Sequence, residues 1–119
     1  MSATPWPVEL RVDRARATLT VTFDSGEAFA LPAEYLRVES PSAEVQGHSA
    51  AEKQIVPSKH HVKIRALEPV GNYAARILFD DGHDTGLYSW DYLFELGRDQ
   101  TKRWEAYLSA LRARKLSRS

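Results

Sequence analysis

The sequence has no cysteine among its 119 residues, so neither a disulfide framework nor a thiolate zinc site is available to it. Sixteen lysines and arginines balance sixteen aspartates and glutamates. The chain therefore lacks the broad positive field that non-specific nucleic-acid binding draws on, and nucleic acid is disfavoured as a partner. No stretch approaches the ~20 apolar residues of a membrane span, and residues 1–6 lack the basic region and apolar run of a secretory leader. The expectation is a soluble cytoplasmic protein with no membrane partner. A glycine-rich phosphate loop, a dinucleotide fingerprint and a nucleophile elbow are also missing. The reactions those motifs serve gain no support, and no cofactor is called for.

What is present reads as one domain. The composition is 43% hydrophobic and 27% charged, an ordinary globular mixture. Residues 1–7 form an extended lead-in, with Trp6 between Pro5 and Pro7 expected to dock on the domain. Residues 8–97 form a β-rich core, and residues 98–119 a C-terminal helix and basic tail. Val8, Leu10 and Val12 alternate with polar residues, the pattern of a strand with one buried face. Leu19, Val21 and Phe23 repeat it, Asp24-Ser25-Gly26 turns the chain, and Phe29 and Leu31 return. Pro32 suits the first position of a short helical turn ending at Leu36. Residues 39–58, with Pro41, Gly47 and Pro57, read as a long loop, a segment type that often carries function.

Val62 and Ile64 open a further strand that ends near Pro69. Ile77 and Phe79 lie on one strand face, Asp80-Asp81-Gly82 turns, and residues 85–88 return. Ser89 then caps a helix with Asp91 in its first turn. Gly97 is expected to stop that helix and Asp99 to cap the next. In the last helix Trp104, Leu108 and Leu111, widened by Tyr107, form a stripe expected to cover one side of the sheet. Arg112, Arg114, Lys115 and Arg118 follow as a basic end expected to be solvated. The fold class predicted is α+β: a mainly antiparallel, twisted sheet built from hairpins, with a two-layer arrangement open and two C-terminal helices.

One internal match links the halves. Thr22-Phe23-Asp24-Ser25-Gly26 parallels Leu78-Phe79-Asp80-Asp81-Gly82, and Tyr35-Leu36 parallels Tyr92-Leu93. The chain uses hairpin-then-helix twice.

Three blocks carry a family resemblance: Tyr35-Leu36-Arg37 leading to residues 40–45, then Pro69-Val70-Gly71-Asn72-Tyr73, then Asp81-Gly82-His83 through Gly86-Leu87-Tyr88-Ser89-Trp90 to Tyr92-Leu93. From about Val8 to Leu96 the chain resembles the gamma-butyrobetaine-hydroxylase-like N-terminal domain, in its stand-alone bacterial form. The resemblance implies an accessory β-rich module, found also on carnitine-biosynthesis oxygenases and on iron–sulfur scaffold ATPases. It further implies a zinc site of three cysteines and the histidine of Asp-Gly-His. The corresponding positions here are Ser40, Ser42, Val45 and His83, so the resemblance implies a lost zinc site.

The candidate binding residues are His83, Arg37, Asn72, Asp81, Tyr88, Trp90, Ser40, Ser42 and His48; none is assigned a catalytic or metal role. An imidazole beside Asp81 and Asp84 suits ligation or proton transfer, whereas hydrogen bonding to the Ser40–Ser42 loop makes it structural. Arg37 suits a carboxylate or phosphate, or a pairing with Glu39. His60 and His61, adjacent in sequence, point to opposite faces if extended. The leading expectation is a non-catalytic accessory or protein-interaction domain. Its binding face would combine the 39–58 loop with the His83 turn, and its unknown protein partner would be linked to a metabolic oxygenase or iron–sulfur assembly. A ligand or metal sensor centred on His83 is the alternative, and a small enzyme of unrecognised mechanism the third. A weak homodimer through Trp6 or the Trp104 helix stays open.

Overall fold

The computed structural model of the chain describes residues 5–42, 45 and 55–119. Most of the 39–58 loop, His48 included, lies outside the described residues. Strands β1 (Pro7–Val12), β2 (Thr18–Phe23) and β3 (Ala28–Pro32) form one antiparallel sheet in that order, followed by helix α1 (Ala33–Val38). Strands β4 (Ile64–Val70), β5 (Ala74–Phe79) and β6 (Gly86–Ser89) form a second, followed by α2 (Trp90–Arg98) and α3 (Gln100–Ala113). The fold is α+β with C-terminal helices, and its sheet is two three-stranded meanders.

Both meanders feed one core. Leu19, Val21, Phe23 and Leu31 from the first meet Ile64, Ile77, Phe79 and Tyr88 from the second, with Leu36 from α1 and Leu93 and Leu96 from α2. Each such side chain, fully buried, contributes roughly 1.5–3 kcal/mol of transfer free energy. An aromatic triangle of Phe23, Phe29 and Phe94, with centroids 5.1–6.0 Å apart and rings edge to face, locks α2 on the first sheet. The first hairpin also docks on the second half. Ile64 N–H donates to the Arg16 carbonyl at 2.8 Å, and Arg16 Nη1 to the Arg65 carbonyl at 2.9 Å.

The repeat seen in the sequence is structural. In each turn the phenylalanine N–H donates across the turn, Phe23 to Glu27 and Phe79 to His83, and the glycine N–H donates back to it. Gly26 and Gly82 adopt φ of 93° and 91°, the left-handed region that glycine enters without steric cost. The aspartate after each phenylalanine then holds the residue that precedes the opposite edge strand. Asp24 pairs with the backbone of Trp6, and Asp80 with that of Lys63.

Several local expectations are corrected. Val8 is 65% exposed because the β1–β2 register shifts between Pro7 and Glu9, which turns it out of the inward set and leaves Leu10 and Val12 packed. Trp6 is tied down by its backbone, so its ring stays 52% exposed rather than docked. Pro32 caps α1 from outside instead of starting it, and the helix runs on to Val38. Val62 is buried but precedes β4, which starts at Ile64. Ser89 caps α2 as expected, its hydroxyl accepting from Tyr92 N–H at 3.1 Å.

Gly97 does not stop α2. It lies inside the helix, and a Cβ there would sit 2.2 Å from Cγ of Phe29; it is a contact glycine that lets the aromatic triangle close. Asp99 joins α2 to α3 with no side-chain cap bond. The apolar face of α3 meets α1 rather than a sheet. Tyr107 and Leu111 cluster with Val38, flanked by Ile55 and Val56, because α2 already covers the first sheet. Arg118 is less exposed than its neighbours because it folds back to pair with Glu34.

Candidate functional site

The β5–β6 turn points His83 inward, where it is 7% exposed. Its Nε2 lies 2.9 Å from Oγ of Ser40, which also accepts from Ser42 N–H at 3.2 Å. Ser42 Oγ pairs in turn with Thr85 Oγ1 at 2.7 Å. Room for this knot comes from Gly86, where a Cβ would lie 2.7 Å from Ser40 Oγ. Ser40 and His83 have the separation of a nucleophile and base, yet Ser40 is fully buried, so no substrate carbonyl reaches its oxygen. The pair fastens the segment after α1 to the β5–β6 turn.

Beside it Asp81 accepts from Arg37 Nε at 2.8 Å, from Lys59 Nζ at 2.7 Å and from His83 N–H at 3.1 Å. Burial pushes the Asp81 carboxyl up, but the hydrogen bonds from Lys59, the His83 N–H and Arg37 outweigh it and hold it at about 2. Arg37 therefore pairs with Asp81, not Glu39. Among the described residues its buried Nη1 has no hydrogen-bond partner, a cost set against the charged pair at Nε. Glu39 instead takes Arg103 Nη1 at 2.8 Å, and its carbonyl accepts the Tyr92 hydroxyl at 2.5 Å. Burial and the neighbouring Glu39 push that hydroxyl up to about 12. Tyr88 is fully buried with its hydroxyl on the Leu36 carbonyl, and burial raises it far above the usual range.

Structure thus gathers Arg37, Ser40, Ser42, Asp81 and His83, with Tyr88 beneath them, and adds Lys59 and Thr85, which the sequence did not mark. It separates Asn72 and Trp90. Trp90 Nε1 donates to the Asn72 carbonyl at 2.9 Å, and Trp90 N–H to Tyr73, at the Ala74 end of β5. His83 joins at the Phe79 end, about 17 Å away along a six-residue strand. His60 and His61 meet edge to face with centroids 4.7 Å apart, so their segment is not extended.

The positions at which the family resemblance implies zinc ligands do not fit a metal here. Ser40 and Ser42 offer protonated hydroxyls already engaged with His83 and Thr85, and Val45 is a buried side chain with no donor atom. Among the described residues no three His, Cys, Asp or Glu side chains converge.

A second polar centre, missed in the sequence, lies on the other end of α1. Glu34 is buried, and Arg118 grips it with Nε at 2.9 Å and Nη2 at 2.7 Å. The guanidinium lies 5.4 Å over the Trp104 ring. A groove of about 600 Å³ runs from there between α1, α2 and α3, past Pro32, Tyr35, Gly97, Thr101 and Glu105. An acidic residue in the first turn of a helix and one arginine of the basic end beyond the last helix were the signals available, with nothing in the sequence to join them.

The profile of the family described as gamma-butyrobetaine hydroxylase-like, N-terminal, matches residues 10–94. Two NMR solution structures are similar, with TM-scores of 0.84 and 0.85. The first is 50% identical over 99% of this chain and 88% of its own, the second 41% identical over 98% and 92%. A crystal structure of a DUF971-family protein of unknown function from Acidithiobacillus ferrooxidans is 35% identical, with a TM-score of 0.67 over 82% of this chain and 98% of that one. No curated protein matches the chain.

Proposed function

The chain belongs to the gamma-butyrobetaine hydroxylase-like N-terminal family, and from this we propose that it is a non-catalytic protein-interaction module, accessory to a metabolic oxygenase or to iron–sulfur assembly. The observation that carries the reading is the groove between α1, α2 and α3. It is an open concavity of mixed polarity, with an aromatic floor at Tyr35 and Trp104 and charged walls at Arg98, Glu105 and Arg118. Aromatic and arginine side chains in a concave patch are what protein interfaces favour. The groups around His83, in contrast, are engaged in joining α1 to the β5–β6 turn.

Site-directed photo-cross-linking in the native cell tests this. A cross-linker at Thr101, on the groove wall, should capture one recurrent protein. A cross-linker at Ser25, in the turn at the opposite end of β3 from Pro32, should not. Equal capture from both positions, or none from Thr101, overturns the reading.

A further inference from the structure

The Glu34 centre has the three parts of a guanidinium-recognition site. Its carboxylate is about nine-tenths buried and is met in fork-to-fork geometry by Arg118, with Nε on Oε2 at 2.9 Å and Nη2 on Oε1 at 2.7 Å. The Trp104 ring lies 5.4 Å under the same cation. His60 Nδ1 lies 2.9 Å from Arg118 Nη2 and 3.7 Å from the carboxylate. Lysine, a point charge without the planar fork, satisfies only part of this set.

The occupant is also presented in a recognisable way. Ser58 N–H donates to the Ser117 carbonyl at 2.8 Å and His60 N–H to the Arg118 carbonyl at 2.9 Å. Residues 117–119 are thus laid as a short strip against residues 58–60, beyond the end of α3. Two backbone hydrogen bonds, the Ser58 hydroxyl on the Ser119 carbonyl at 3.3 Å and the Arg118 side chain hold the strip, and the arginine side chain is still 40% exposed. Without Arg118 the groove wall keeps two carboxylates, Glu34 and Glu105, against one guanidinium, Arg98, a balance that suits a basic segment.

We propose that Glu34, Trp104 and His60 form an arginine-binding pocket, filled in cis by Arg118, that accepts an arginine from an extended segment of a partner protein when residues 117–119 are displaced. A tethered side chain competes at an effective concentration of roughly millimolar. A partner therefore displaces it only by adding contacts along the rest of the groove, which makes the strip a selectivity filter against isolated basic residues.

The pocket is measured on the isolated chain. N-acetylarginine amide and N-acetyllysine amide, each at several millimolar, are added to wild type, Arg118→Ala and the Glu34→Gln/Arg118→Ala double variant, and thermal unfolding is followed. The arginine probe should raise the melting temperature of Arg118→Ala by about 3 °C more than the lysine probe does. It should act less on wild type and show no preference on the double variant. Equal response to both probes in Arg118→Ala, or a preference that survives Glu34→Gln, overturns the proposal. If Arg118→Ala is unfolded at 25 °C, recovery of the far-ultraviolet helical signal with the arginine probe supports the pocket, and no recovery overturns it. The partner clause rests on the interaction reading above, which the Thr101 cross-link tests separately. A pocket that takes arginine while Thr101 captures nothing sinks the partner and leaves the pocket standing.

Discussion

Asp81→Asn probes the joint between the two halves most directly. Asp81 is 19% exposed at its side chain and carries two cations, Arg37 at 11% and Lys59 at 23%. The fall of its pKa from 3.8 to about 2 corresponds to about 2 kcal/mol of folding free energy, at about 1.36 kcal/mol per pH unit. Asparagine keeps an oxygen for the His83 N–H but turns a donor toward Arg37 and Lys59, so a buried guanidinium loses its charge partner. The expected loss at pH 7 is about 2 kcal/mol or somewhat more. The pH dependence has a definite sign. A carboxyl held below its ordinary value stabilises the fold above about pH 4, and that contribution disappears as pH falls toward 2. Urea unfolding of wild type and variant at pH 7, 4 and 2.5 should therefore give a difference that is full at pH 7 and mostly gone at pH 2.5. A penalty under about 0.5 kcal/mol at pH 7, or one that is the same at all three pH values, refutes the argument that this carboxylate pins the turn.

Gly97→Ala should cost about 1–3 kcal/mol by overpacking, because its Cβ meets the Phe29 ring at 2.2 Å; Phe29→Leu in the same chain should recover part of the loss, and purely additive penalties would rule the contact out as the cause. A strong chelator should leave the melting temperature of the wild type unchanged, since Ser40 and Ser42 join His83 and Thr85 by hydrogen bonds. The Ser40→Cys/Ser42→Cys/Val45→Cys variant should instead become zinc-stabilised and chelator-sensitive, as a Cys₃His set is a tetrahedral zinc donor set. A wild type that melts lower with chelator would overturn the metal-free account.

How much of this was legible depends on how far apart in the chain the deciding atoms lie. The two hairpins could be read because Asp24-Ser25-Gly26 and Asp80-Asp81-Gly82 set their own turns, and the Ser89 cap because donor and acceptor are three residues apart. The same locality explains why the repeat was visible. The exposure of Val8 was not, since its bulge is set against Phe23 and Thr22 on the neighbouring strand. Gly97 read as a helix stop because glycine usually ends helices; its reason is a ring on β3. At the site, the joining of Ser40 and Ser42 to the His83 turn followed from the family's ligand positions, while Lys59 and Thr85 carried no motif. Arg118 read as tail because its partner Glu34 is 84 residues away.

These distant ties converge on one short element. Helix α1 has six residues and no side-chain cap at its start, too little to be stable by its own hydrogen bonds. Each polar residue on it or just after it is held by a different part of the chain: Glu34 by Arg118, Arg37 by Asp81, Glu39 by Arg103 and Ser40 by His83. Its apolar residues Tyr35, Leu36 and Val38 are buried, and Tyr35 donates to the Leu96 carbonyl at 2.7 Å. Both C-terminal helices and the β5–β6 turn are thereby referenced to α1, and the first meander is tied to it through Ala33 N–H on the Ala17 carbonyl at 2.7 Å. The family resemblance implies a metal at the Ser40 and His83 positions, where it would join that same segment to that same turn. Here a serine, a histidine and a flanking Arg37–Asp81–Lys59 cluster make the join. The opposite end of α1 ends in a grip that one side chain can release. One end is thus fixed by several mutually supporting side-chain bonds; at the other the backbone is tied through Ala33 N–H to the Ala17 carbonyl while the Glu34 carboxylate relies on the Arg118 fork with His60 beside it, which places the adjustable side-chain contact at the groove and not at the inherited site.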